Sequence, residues 1–303
     1  MKSKGPFLTL LIMVLIWGLG YPINKIGLSY TSPTNFVELR FLIATIAMFI
    51  IVMLSKNLVL PTRRDLPIIL VVPFFQIALT MNLANYGLSL VSPGRATFLV
   101  FCTSIWIIPL SVVIHKRINK YDCLALFFGI VGVLVLISPW NIDWKQRDVW
   151  IGDISLLLAS MFWSIGILCA RFMKWHRPSI QLLPWQLLFA TLLTVAFAYS
   201  QGIGIMPPTL NLTFINSLLF TGILSISIGY WAMIYVSKYV KPSWVSLGLL
   251  CVPVISLIVS YLFMNEEISL SFIISIVLIS VGVLFHIYSE RNDIKHIQLY
   301  EKL

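Results

Sequence analysis

Long apolar runs broken by short stretches of Pro, Gly, Asn and charge dominate the chain. A helix needs about 20 apolar residues to cross the hydrocarbon of a bilayer, so runs of that order were sought between such breaks. Ten emerge, at residues 7–28, 34–54, 66–90, 96–114, 124–137, 151–172, 180–199, 212–235, 243–264 and 270–288. The fifth is short and depends on its flanks to span. None alternates apolar with polar positions, which sets aside an outer-membrane barrel. The pattern predicts an all-α integral membrane protein with ten transmembrane helices.

The ten runs fall into two sets of five. Trp17 and Gly20 recur as Trp163 and Gly166, and Arg40-Phe41-Leu42-Ile43-Ala44-Thr45 recurs as Gln186-Leu187-Leu188-Phe189-Ala190-Thr191. Pro93 and Cys102 recur as Pro242 and Cys251, and Val131-Gly132-Val133-Leu134 recurs as Val281-Gly282-Val283-Leu284. The offset drifts from 146 to 150, with three residues gained around the 202–208 loop. Matches in order with a slowly drifting offset indicate a duplication. A repeat of five spans must invert, since its second copy enters from the opposite face. The sequence therefore predicts two inverted five-helix repeats, residues 1–140 and 150–290, followed by a tail at 291–303.

Charge fits that inversion. Lys116-Arg117-Ile118 and Glu266-Glu267-Ile268 occupy equivalent loops with opposite sign. With the N-terminus inside, sixteen basic residues fall on inner segments: Lys2, Lys4, Lys56, Arg63, Arg64, Lys116, Arg117, Lys120, Arg171, Lys174, Arg177, Lys238, Lys241, Arg291, Lys295 and Lys302. Only Arg95, Lys145 and Arg147 fall outside. The positive-inside rule then places both termini in the cytoplasm. Apolar residues make up 59% of the chain, charged residues 11%, and mean hydropathy is +0.95, values foreign to a soluble domain. The net charge of +10 sits in short clusters between apolar runs, where anionic headgroups explain it and nucleic acid does not. Lys2 and Lys4 precede an apolar run as in a signal peptide, but no small-residue cleavage pattern follows Leu15, so the first run is read as retained.

The segment from Trp17-Gly18-Leu19-Gly20-Tyr21-Pro22 to Leu28, with Pro33, Phe36 and Leu39-Arg40-Phe41-Leu42, resembles the first two helices of the EamA family in the drug/metabolite transporter superfamily. Pro253, Glu266 and Val281-Gly282-Val283 resemble the close of the family's second domain. The resemblance covers nearly the whole chain as two EamA-type halves. It implies a ten-helix carrier of the bacterial inner membrane, with alternating access and a central cavity for small metabolites such as amino acids. The chain departs from the family at Lys116-Arg117, where an acidic residue is usual, and at Pro109, displaced from the usual place near 104.

Enzymatic chemistry has little to stand on. No metal-binding His-Glu-x-x-His, paired carboxylates or Ser–His arrangement lies at depth, and no phosphate-binding loop exists, so neither catalytic residues nor a cofactor nor a metal is expected. His115, His176, His286 and His296 read as interfacial or tail residues. Asp65, Asp122, Asp143, Asp148, Asp153 and Asp293 read as solvated charges or helix caps. Cys102, Cys123, Cys169 and Cys251 lack ligand spacing and read as packing residues. Gly129, Gly132 and Gly282 suit close helix contact, within the fold or across a homodimer; monomer and homodimer both stay open.

Binding residues are sought among polar and aromatic side chains at membrane depth. Lys25, Glu38 and Arg40 flank the loop after the first run; the two cations are long enough to snorkel to the surface and are read as anchors, with substrate charge or proton coupling as the alternative. Trp140, Trp144, Trp150, Trp175, Trp185, Trp231 and Trp244 sit near span ends. Trp17, Trp106 and Trp163 instead lie about 15 Å deep, where an indole N–H needs an acceptor or a wet cavity. Trp163, Trp106, Trp17, Tyr230, Asn85, Thr80 and Gln76 are therefore the candidate binding residues for a small amphipathic solute. The rival reading is a scaffold or signalling protein that keeps the fold; it would fill the bundle's interior with aliphatic residues.

Overall fold

The computed structural model describes residues 5–115, 118–137, 147–202 and 211–300. Lys116, Arg117, Trp140, Asp143, Trp144, Lys145 and most of the 202–208 loop lie outside the described residues. Among the described residues ten helices are long and apolar enough to span: α1 (Gly5–Leu28), α2 (Pro33–Leu54), α3 (Leu66–Leu90), α4 (Pro93–Val113), α5 (Lys120–Ile137), α6 (Arg147–Phe172), α7 (Ser179–Ser200), α8 (Leu212–Tyr239), α9 (Pro242–Met264) and α10 (Leu270–Tyr300). Among the described residues there is no strand. Side chains such as Leu54 and Phe263, at 75% and 78% exposed, form the apolar surface that lipid would cover.

The helix starts follow local chemistry. Ser32 accepts from the Asn35 N–H at the start of α2, and Asn211 accepts from the Phe214 N–H at the start of α8. Proline occupies the first turn of α2, α4 and α9, where its missing N–H costs nothing.

Repeat mates meet in pairs. The Thr45 and Thr191 hydroxyls, 146 residues apart, are 2.8 Å from each other, so the pseudo-two-fold axis passes between α2 and α7. A Cβ on Gly132 would stand 2.7 Å from Ile279, and one on Gly282 would stand 2.9 Å from the Gly129 N, which is the same contact seen from each repeat. The glycines at 129, 132 and 282 thus serve packing within the chain, between α5 and α10. Elsewhere α1 packs on α8 and α9 as α6 packs on α3 and α4.

Three interruptions escape the hydrophobic pattern. Phe74–Leu79 in α3 and Phe220–Ile228 in α8 are wide π-helical turns at equivalent places in the repeats. Such turns misalign backbone carbonyls, and hydroxyls five residues on bond to them: Thr80 to Phe75 O at 2.8 Å and Ser227 to Gly222 O at 3.2 Å. The fourth span, expected as one continuous helix, is instead broken between Pro93–Phe101 and Ser104–His115. The Ser164 hydroxyl bonds the Thr103 carbonyl at the break, at 3.2 Å.

α1 starts on one face of the bundle, the Gly5 face, and ends on the other, the Leu28 face. On the Leu28 face Arg95 and Asp153 form a bidentate pair, with Nε to Oδ1 at 2.8 Å and Nη2 to Oδ2 at 2.5 Å. There the Glu266 carboxylate, from the loop after α9, accepts from the Ser92 hydroxyl, the Gly94 N–H at 3.0 Å and the Arg95 N–H at 3.3 Å. A carboxylate at a helix N-terminus satisfies orphan donors and meets the positive end of the helix dipole. Glycine at 94 permits this approach, since a Cβ there would lie 2.8 Å from Glu266 Oε1. On the Gly5 face Arg177 donates to Asp65 at 3.2 Å, and the Thr62 N–H and hydroxyl bind the same Asp65 oxygen. Burial pushes the Asp65 carboxyl up, but these donors outweigh it and hold it below the usual carboxylate range. Asp65 and Asp153 were expected as solvated charges or caps; at 0% and 2% exposed, both are buried and paired.

Candidate functional site

A cavity of about 510 Å³ lies between the two repeats. Its lining reaches Trp175, in the segment between α6 and α7, and Ser179 at the start of α7, both on the Gly5 face. Toward the Leu28 face it goes no further than Asn24 and Leu88. Beyond them Lys25 closes the end of α3, donating to the carbonyls of Leu88, Ser89 and Val91 at 2.7 to 2.9 Å. A lysine at a helix C-terminus is favourable with orphan carbonyls and with the dipole alike.

Repeat mates Trp17 and Trp163 stand on opposite walls with Tyr230 between them, at ring-centroid distances of 6.3 and 6.2 Å. Trp17 donates its indole N–H to the Ser225 carbonyl at 2.9 Å, an acceptor made available by the π turn of α8. Gly229 beneath it has no room for a Cβ, which would run into the Trp17 indole nitrogen. Gln76 and its mate Ser225 occupy equivalent wall positions, facing Gly166 and Gly20 respectively. The Tyr230 and Ser225 hydroxyls are buried without a hydrogen-bond partner among the described residues.

Arg40 is the polar centre. It is 3% exposed on the cavity wall, so the expectation that it snorkels to the surface as an anchor is corrected. Nη1 donates to Asn24 Oδ1 at 2.7 Å and Asn85 Oδ1 at 3.2 Å, and the Asn85 amide is oriented by its bond to the Met81 carbonyl at 2.7 Å. Among the described residues Nη2 meets only the Met81 sulfur, at 3.6 Å, and Nε has no partner. Glu38, two residues earlier on α2, is 1% exposed and does not line the cavity. The repeat mate of Arg40 is Gln186, which also lines the cavity and donates to the Ile68 carbonyl at 3.1 Å.

Of the candidates read from the sequence, the cavity wall holds Trp17, Trp163, Tyr230, Asn85 and Gln76. Thr80 and Trp106 are not on it. Thr80 is fully buried, with its hydroxyl on Phe75 O and on Ala159 O at 3.3 Å; the Trp106 indole nitrogen is buried without a partner. Sequence reasoning left out Tyr21, Asn24 and His286, all on the wall. His286 was expected at an interface, and only the approach of α10 to the cavity reveals its place.

Two stretches, residues 4–138 and 150–288, match the model of the EamA-like transporter family. The chain is 23% identical over 285 residues to "Uncharacterized transporter YoaV" of Bacillus subtilis, covering 93% of this chain and 96% of that protein. It is 26% identical over 301 residues to the "Probable amino-acid metabolite efflux pump" of Escherichia coli, covering 96% and 97%. A protein of the same description in Salmonella typhimurium is also 26% identical, over 307 residues, with 96% and 97% covered. One solved crystal structure shares the fold with a TM-score of 0.63 at 15% identity, over 94% of this chain and 96% of that one.

Proposed function

The chain belongs to the EamA-like transporter family and is a multi-pass membrane transporter, and from that premise we propose that it moves a small amphipathic organic metabolite, an amino acid or a related compound, by alternating access. The observation that carries this reading is the cavity between the repeats, with aromatic mates Trp17 and Trp163 on its walls and Arg40 in its depth. Carrier sites of inverted-repeat folds lie at such repeat interfaces near the midplane. A scaffold would have no use for unpartnered Tyr230 and Ser225 hydroxyls and a buried cation.

Residues 1–140 and 150–290 are the two repeats, with 291–303 as a tail. The Gly5 face is the cytoplasmic one, by the distribution of Lys and Arg, and the membrane is the bacterial inner membrane. The cavity then faces the cytoplasm, with the Glu266 and Arg95–Asp153 contacts closing the outer side. Outward movement is the direction in the names of the Escherichia coli and Salmonella typhimurium relatives.

The test is retention of labelled amino acids and related organic acids in cells with and without the protein, followed by proteoliposomes of the purified protein. Solute-dependent counterflow without ATP is expected. Absence of flux for every compound of the panel would favour the scaffold reading.

A further inference from the structure

We propose that the solute is an organic monoanion, a carboxylate carrying an apolar or aromatic body, and that Arg40 is the residue that takes its carboxylate. This rests on the carrier reading and narrows it, because an α-amino acid is a zwitterion at neutral pH.

The guanidinium has five N–H donors and cannot shed its charge. Nη1 is occupied by two amide oxygens, but the Nε–Nη2 edge meets no oxygen among the described residues, only the Met81 thioether. That edge is the fork that binds a carboxylate through two parallel hydrogen bonds. Met81 covers it with an unbranched, flexible side chain that itself lines the cavity, so it can swing away as an anion arrives. Neither ion pair described for the chain involves Arg40, and the cavity lining includes no Asp or Glu. Its formal charges are the cations Arg40 and, at the mouth, Arg171.

A buried cation held only by neutral acceptors is costly until an opposite charge joins it. A monoanion removes that imbalance. A zwitterion brings a second cation for which the wall has no carboxylate. The Trp17, Tyr230 and Trp163 rings give an apolar body its place. The Tyr230 hydroxyl, buried and unpartnered, is a further donor for an anion.

The test uses four compounds that share one phenyl ring: 3-phenylpropionate, L-phenylalanine, 3-phenylpropanol and 2-phenylethylamine. Their binding to the purified full-length protein in detergent is read by calorimetric titration. The anion is expected to bind about tenfold or more tighter than the zwitterion, with the amine weakest. Arg40→Gln, which installs the residue found at the mate position 186, is expected to remove the preference for the anion. Arg40→Lys keeps the charge without the fork; it should weaken 3-phenylpropionate about tenfold while still ranking it above the amine. If Arg40→Gln does not fold, Arg40→Lys decides. Equal or tighter binding of L-phenylalanine, an unchanged order in Arg40→Gln, wild-type affinity in Arg40→Lys, or no binding of any of the four would overturn the proposal. None of these outcomes removes the carrier reading, which falls only if the retention and counterflow assays show no solute movement.

Discussion

Arg40 and Gln186 stand at the same place in two copies of one five-helix unit, yet only the first gives the cavity a charge. Arg40 gathers Asn24 and Asn85 about it, whereas the mates of those residues are Ala170 and Ile234, and Gln186 turns to the Ile68 backbone. The two faces differ in the same way. The Leu28 face is tied by the Arg95–Asp153 ion pair, and the mate of that pair on the Gly5 face is Phe7 against Trp244, two half-exposed rings with centroids 6.0 Å apart. Glu266 accepts from the first turn of α4, while its mate in sequence is Lys116, which has no acceptor to offer. Duplication supplied a symmetric frame, and side-chain divergence closed one end. The lesson is that in an inverted repeat the informative positions are those where the mates differ.

The largest effect is expected where the difference is greatest. Arg40→Gln should lower counterflow about 100-fold, since it removes a charge-assisted site. Gln186→Ala, at the mate position, should change it less than about threefold, having lost one neutral bond. Comparable losses at the two positions would mean that the cavity works symmetrically.

A smaller effect is expected at the closed face. Gly94→Ala forces the Glu266 carboxylate away from α4, and Glu266→Gln removes its charge; each should weaken closure by about 1 to 2 kcal/mol. Thiol labelling of a cysteine placed in the cavity should then proceed about tenfold faster from the Leu28 face, and unchanged labelling would show that other contacts hold that end.

The smallest effect lies on the axis, where the repeats remain alike. Thr45→Val should cost roughly 0.6 kcal/mol and Thr191→Val more, since it also loses its bond to the Leu187 carbonyl; the double variant should cost little more than Thr191→Val, because both remove the bond between the hydroxyls. Thermal unfolding of the four proteins checks this. Additive costs would show that the hydroxyls act through their own helices instead.

Hydrophobic run length made the ten helices legible, and loop charge with the 146-to-150 offsets made the repeat legible, because both depend on composition and order alone. The π turns at Phe74–Leu79 and Phe220–Ile228 were not, since a widened turn leaves the apolar pattern intact. Trp17, Trp106 and Trp163 show the limit for the site. Sequence position gives depth in the membrane, about 15 Å for each, but not the direction in which a side chain leaves its helix. Trp17 and Trp163 face the cavity and Trp106 does not. Arg40 looked like a snorkelling anchor because its acceptors, Asn24 and Asn85, are 16 and 45 residues away and only the packing of α1, α2 and α3 brings them to it.

The most direct measurement places a single cysteine at Ser280, on the cavity wall, in a protein whose four native cysteines have been replaced. An impermeant thiol reagent is then applied to oriented vesicles from each face in turn. Labelling is expected to be faster from the Gly5 face, with protection by transported solute, and slow from the Leu28 face until closure is weakened by Gly94→Ala. Equal labelling from both faces of the unmodified fold, or none from either, would contradict a cavity of alternating access closed at one end.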